Sequence, residues 1–141
     1  MKKILLFSSG VATRALIAEA LLKTQINQDK NILLYSCGIE HHTQGIDNAK
    51  LMLCANKVDI KNINLKTHEE LIEQEFDLIF ILFNYLTEKA IMPLCKGSMF
   101  YVGFQGKMGE LDTLYKDVEH KIIGRIKSII IKEFDLPQGN L

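Results

Sequence analysis

The run Phe76-Asp77-Leu78-Ile79-Phe80-Ile81-Leu82-Phe83 constrains the fold more than any other segment. It is apolar at consecutive positions rather than alternate ones, so a strand formed by it needs cover on both faces. Such strands lie inside parallel sheets. Shorter runs repeat the pattern from Lys3 to Phe7 and from Asn31 to Ser36, and Ser98 to Phe104 reads as a fourth strand. Helical signals separate them. Arg14 to Lys23 is rich in helix formers. Asp47 is placed to cap a helix running to about Asn56. Thr67 and Glu70 have capping-box spacing and predict a short helix over Glu69–Glu75. Leu86 to Met92 predicts another before Pro93. Glu110 to Glu133 predicts a long helix with Leu111, Leu114, Val118, Ile122, Ile126, Ile129 and Ile130 as its core stripe. Strands alternating with helices predict a three-layer α/β/α domain with a four-stranded, mostly parallel central sheet. It is expected to span residues 1–136, with 137–141 as a short tail.

The 17 Lys and Arg residues balance 17 Asp and Glu residues. This argues against general nucleic-acid binding, which needs a basic excess. No apolar run reaches the roughly 18–20 residues that span a bilayer, so no membrane partner is expected. The N-terminal segment is a poor secretory signal, which predicts a cytoplasmic protein. The 3 cysteines, Cys37, Cys54 and Cys95, are odd in number and lack ligand spacing. Neither a disulfide framework nor a metal nor another cofactor is expected, and the cysteines read as small core or semi-buried groups. His41-His42 reads as a solvated loop, and His68 and His120 as surface residues.

Parallel sheets bind ligands at the carboxyl ends of their strands, often at the first strand–helix turn. Here that turn is Ser8-Ser9-Gly10-Val11-Ala12-Thr13-Arg14. Its small residues and Gly10 would let backbone N–H groups converge. The helix that follows adds its positive end, and Arg14 adds a planar fork of donors. Together these predict a cradle for a phosphate-sized anion. The competing reading is a tight connection with a surface arginine.

Lys3 to Leu22 resembles the opening of the low-molecular-weight protein tyrosine phosphatase family, which includes the thioredoxin-coupled arsenate reductases. That family begins with a strand, a Cys-x5-Arg loop and a helix containing Ala-Glu-Ala-Leu. Here the helix carries Ala18-Glu19-Ala20-Leu21-Leu22, with Arg14 at the loop arginine and Gly10 at the loop glycine. Tyr35-Ser36-Cys37-Gly38 is similar to the family's Ser-Ala-Gly, Lys57-Val58-Asp59-Ile60 to its Gly-Ile-Asp-Ile, and Phe76-Asp77-Leu78-Ile79 to its Phe-Asp-Leu-Val. Leu86 to Phe104 leans toward the arsenate reductase branch. The resemblance also implies that His41 and His42 border the mouth of the cleft.

The departures fall on the chemistry. Ser8 stands at the nucleophilic cysteine, Val11 at an asparagine, Thr13 at the second loop cysteine and Ala15 at the serine after the arginine. Gln105-Gly106-Lys107 lies where the family has its Asp-Pro general acid, and the resolving-cysteine positions fall near Phe83 and Ala90. A cysteine works in such a cradle because its pKa, about 8.5 when free, falls beside cationic groups. A serine needs a base, and the loop offers no His, Asp or Glu. A missing general acid removes a further factor of about 10²–10⁴.

The resemblance therefore implies a pseudophosphatase: a hydrolase fold with Ser8 and Arg14 at the catalytic positions, turnover lost and oxyanion binding kept. Its partner would be phosphate, sulfate or a phosphorylated ligand, with Ser8 able to donate to the anion. Two other readings stay open. One is a divergent active phosphatase or arsenate reductase, including a single Cys→Ser replacement, against which the changes at Val11, Thr13, Ala15 and Gln105 count. The other is a protein-interaction module with no ligand in the cleft. Ile129-Ile130-Ile131, apolar on more than one helix face, is compatible with a homodimer interface.

Overall fold

A computed structural model describes residues 1–26, 31–104 and 111–136. The tail 137–141 and the Gln105-Gly106-Lys107 segment lie outside the described residues. The strands are β1 (Lys2–Val11), β2 (Ile32–Glu40), β3 (Leu65–Lys66), β4 (Glu75–Asn84) and β5 (Lys96–Phe104). They form one sheet in the order β3-β2-β1-β4-β5, and every neighbouring pair is parallel. The sheet thus has five strands rather than the expected four. The extra strand is a two-residue edge, too short to show periodicity in sequence.

The consecutive apolar residues of the strands divide between two cores. Ile4 and Leu6 of β1 face one way with Leu78, Phe80 and Leu82 of β4. Leu5 and Phe7 face the other way with Ile79 and Ile81. The first face carries α1 (Thr13–Gln25), α2 (Thr43–Ala55) and a C-terminal arm of α3 (Leu111–Asp117), a π-helical turn (Val118–Ile122) and α4 (Ile123–Glu133). Helix α1 is buried at every position from Thr13 to Leu22, because sheet, α2 and arm surround it.

The two short helices expected over Glu69–Glu75 and Leu86–Met92 do not form as such. Thr67 and Glu70 do form the reciprocal pair: the Thr67 amide donates to Glu70 Oε1 at 2.9 Å and the Glu70 amide to Thr67 Oγ1 at 3.4 Å. The helix nevertheless stops after one 3₁₀ turn, Glu69–Leu71, and Glu73 adopts φ 65°. Residues 86–92 form no helix. The Asn84 side chain accepts from the Leu86 amide at 3.1 Å, a local turn that competes with helix formation. Leu71, Phe76, Ala90 and Cys95 cover the second face of the sheet instead.

Helix α2 starts at Thr43 rather than near Asp47, because His42 Nδ1 accepts from the Gly45 amide at 3.1 Å and caps it. In the arm, Val118, Ile122, Ile126 and Ile130 are fully buried. A spacing of four residues drifts by about 40° per step on a 3.6-residue helix. The wider π turn absorbs part of that drift and keeps the stripe on the core. Among the described residues, no helix is long and apolar enough to cross a membrane.

Candidate oxyanion site at the β1–α1 connection

The expected seven-residue loop is shorter than the sequence suggested. Ser8 still belongs to the sheet, paired with Gly38 on one side and Leu82 on the other. The register slips between Ser8 and Val11, so Ser9 and Gly10 form an irregularity, and Val11 pairs with Glu40. Only Ala12 turns the chain, at φ −70° and ψ −4°, before Thr13 and Arg14 open α1. The cause is visible at Gly38. A Cβ there would lie 2.5 Å from the Ala12 nitrogen and 2.8 Å from the Val11 carbonyl carbon. The β1–α1 turn crosses directly over β2 at a point where only hydrogen fits.

Each expected site residue can be placed. Ser8 is fully buried, and its Oγ accepts from the Ala15 amide at 2.8 Å. It thereby satisfies one of the N–H groups that a helix start leaves unpaired, where Ala12 supplies no side-chain cap. Thr13 lies beside the start of α2, with its Oγ1 3.1 Å from where a Gly45 Cβ would stand. Arg14 is buried, and its Nη1 lies 2.5 Å from Glu88 Oε1. Ser9 Oγ donates to the same oxygen at 3.1 Å, and the Asn84 amide donates to it at 2.8 Å. Gly10 lies beneath the pair: a Cβ there would be 3.3 Å from Glu88 Oε2 and 3.5 Å from Arg14 Nη2.

Glu88 is the residue that sequence reasoning missed. It stands 79 positions from Ser9 in the chain, inside a stretch expected to be helical. The readable signal was Asn84 at the end of β4, a turn residue at the carboxyl end of a strand adjacent to β1. The connection itself carries no acidic residue, and the acidic group beside it comes from the segment after β4. Burial pushes the Glu88 carboxyl up, but Arg14, the Asn84 amide and Ser9 together hold it below the usual carboxylate range.

A second carboxylate, Glu19, is fully buried and fastens α1 to the sheet. It accepts from Ser36 Oγ and from the Asn64 amide, each at 2.6 Å, and pairs with Lys23 Nζ at 3.0 Å. Burial outweighs these contacts and raises its pKa. Among the remaining candidates, His42 lies near Thr13 across Gly45. His42 caps α2 and His41 is exposed. His68 is half-buried rather than a surface residue, its ring centroid 5.6 Å from that of Phe7. Cys37 and Cys95 are buried, and burial pushes their thiols up to about 12 and about 11. Cys54 is exposed on α2 rather than semi-buried.

No protein-family model and no curated protein matches the sequence. Solved structures do. An arsenate reductase in the phosphate binding state superimposes with a TM-score of 0.59 at 19% identity, over 94% of this chain and 98% of that one. An arsenate reductase in reduced state gives 0.58 at 18% identity with the same coverage. The arsenate reductase from Archaeoglobus fulgidus DSM 4304 gives 0.60 at 18% identity, over 90% of this chain and 98% of that one. The chain is therefore an α/β protein with the fold of these arsenate reductases.

Proposed function

We propose that the chain is a phosphatase-fold protein that binds an oxyanion through Ser8 to Arg14 and does not turn it over. The ligand would be phosphate, sulfate or a phosphorylated molecule. One observation carries the reading: Arg14 Nη1 and Ser9 Oγ converge on a single carboxylate oxygen. Donors that meet on one anionic oxygen suit a phosphate oxygen equally well. The α1 start next to them favours negative charge. Catalysis is another matter. Ser8 stands where the resemblance puts the nucleophile, yet its oxygen is already an acceptor for the Ala15 amide. Among the described residues, no His, Asp or Glu side chain hydrogen-bonds to that hydroxyl to activate it.

The active-enzyme reading draws on one contact, Glu88 beside Ser9 Oγ. Pairing with Arg14 and the Asn84 amide makes that carboxylate a weak base, which disfavours it.

The test has two arms. Phosphate is titrated to high millimolar concentration against wild type and Arg14→Ala, followed by amide chemical shifts. Saturable shifts at Ser9 to Ala15, lost in Arg14→Ala, are expected; none in either protein overturns the binding site. Aryl phosphate hydrolysis, and arsenate reduction with thioredoxin, should be absent. Turnover abolished by Ser8→Ala would overturn the inactive assignment.

A further inference from the structure

We infer that Glu88 is a built-in ligand of the Ser9–Arg14 site, a carboxylate that an incoming oxyanion must displace. The inference rests on the reading of Ser8 to Arg14 as an oxyanion site.

Glu88 occupies the place an anion would take. Its Oε1 receives Arg14 Nη1 and Ser9 Oγ, and its Oε2 lies over Gly10. A second anion cannot share these donors while the carboxylate holds them, because like charges in contact repel strongly where water is scarce.

The connection that carries Glu88 is suited to release it. Between Asn84 and Lys96 the chain has neither helix nor strand. Tyr85, Leu86, Ile91, Met92 and Leu94 are exposed there. The Glu88 amide donates to the Asn84 carbonyl at 2.9 Å, so the turn fixes the backbone locally while the side chain reaches across to β1 and α1. Withdrawing that side chain breaks its bonds to Arg14 Nη1, Ser9 Oγ and the Asn84 amide, which the incoming oxyanion replaces. Segments with exposed side chains and few backbone bonds open at low free-energy cost.

The consequence is quantitative. The apparent affinity equals the intrinsic affinity multiplied by the fraction of molecules with Glu88 withdrawn. If that fraction is about one in ten, removing the carboxylate tightens binding about tenfold.

The experiment titrates inorganic phosphate calorimetrically against wild type, Glu88→Gln, Glu88→Asp and Glu133→Gln. The last removes an equal charge from the exposed end of α4. Expected is binding about tenfold or more tighter in Glu88→Gln, with Glu133→Gln unchanged from wild type. Glu88→Asp keeps the charge but shortens its reach, so it should also bind tighter. It serves as the readout if Glu88→Gln does not fold. Equal affinity in wild type and both Glu88 variants overturns the built-in ligand and leaves the oxyanion site standing. Absence of binding in every variant overturns both.

Discussion

The Cβ that Gly38 lacks would stand 2.5 Å from the backbone nitrogen of Ala12. Strand β2 thus sets the height at which the β1–α1 turn passes, and with it the direction from which Arg14 enters the site. Gly38→Ala should force that turn outward at a cost of about 1–3 kcal/mol, read by urea unfolding. The same variant should weaken phosphate binding, since Arg14 moves with the turn. Unchanged stability would show that the turn yields without strain.

Glu19 holds α1 through acceptors that no other group replaces. Glu19→Ala leaves the Asn64 amide and Ser36 hydroxyl without their partner and should cost about 3–5 kcal/mol. Glu19→Gln should cost much less, because an amide can accept from Asn64 and donate to Ser36. The pH dependence has a definite sign. The folded pKa is raised, so the advantage of the protonated form is complete below the unfolded pKa and is lost as pH rises through the folded one. Wild type should therefore lose stability relative to Glu19→Gln as pH rises above about 4. A pH-independent difference between the two would contradict the raised pKa.

The cysteines should separate by reactivity. Cys54 is exposed, whereas the Cys37 and Cys95 thiols are buried and pushed up to about 12 and about 11. At pH 8 a thiol with a pKa near 12 is thiolate in only about one molecule in ten thousand. An aromatic disulfide reagent should titrate Cys54 in the native protein and all 3 thiols after denaturation. Rapid native labelling of Cys37 would show that its strand end opens to solvent.

Lys57 ends α2 in a conformation that suits glycine. Its φ is 61°, and the amides of Lys57 and Val58 close the helix onto Cys54 and Leu53 at 3.0 and 2.9 Å. Side chains are strained there and glycine is not. Lys57→Gly should stabilise the protein by about 0.5–1 kcal/mol, a rise of about 2–4 °C in Tm by calorimetry. A lowered Tm would place the Lys57 side chain in an interaction worth more than the strain.

Local patterns in the sequence carried much of the architecture. Continuous apolar runs marked β1 and β4 as interior parallel strands, and four-residue spacing marked the arm from Val118 to Ile130. Such features depend on neighbours in the chain, so periodicity reveals them. The segments that failed were those where a local signal met a stronger local competitor. Asn84 turned the chain where residues 86–92 read as helix, and the Thr67–Glu70 pair closed one 3₁₀ turn without propagating.

The candidate site proposed at the β1–α1 connection divides the same way. Arg14, Gly10 and the end of β1 were legible from sequence alone, because a strand, a small-residue turn and a helix start are adjacent in the chain. That Glu88 faces Arg14 was decided only by the tertiary structure. It depends on β4 lying beside β1, on both strands ending at the same edge of the sheet, and on where the Asn84 turn sends the chain. No local pattern encodes those relationships, because strand order and register are set by packing both sheet faces at once.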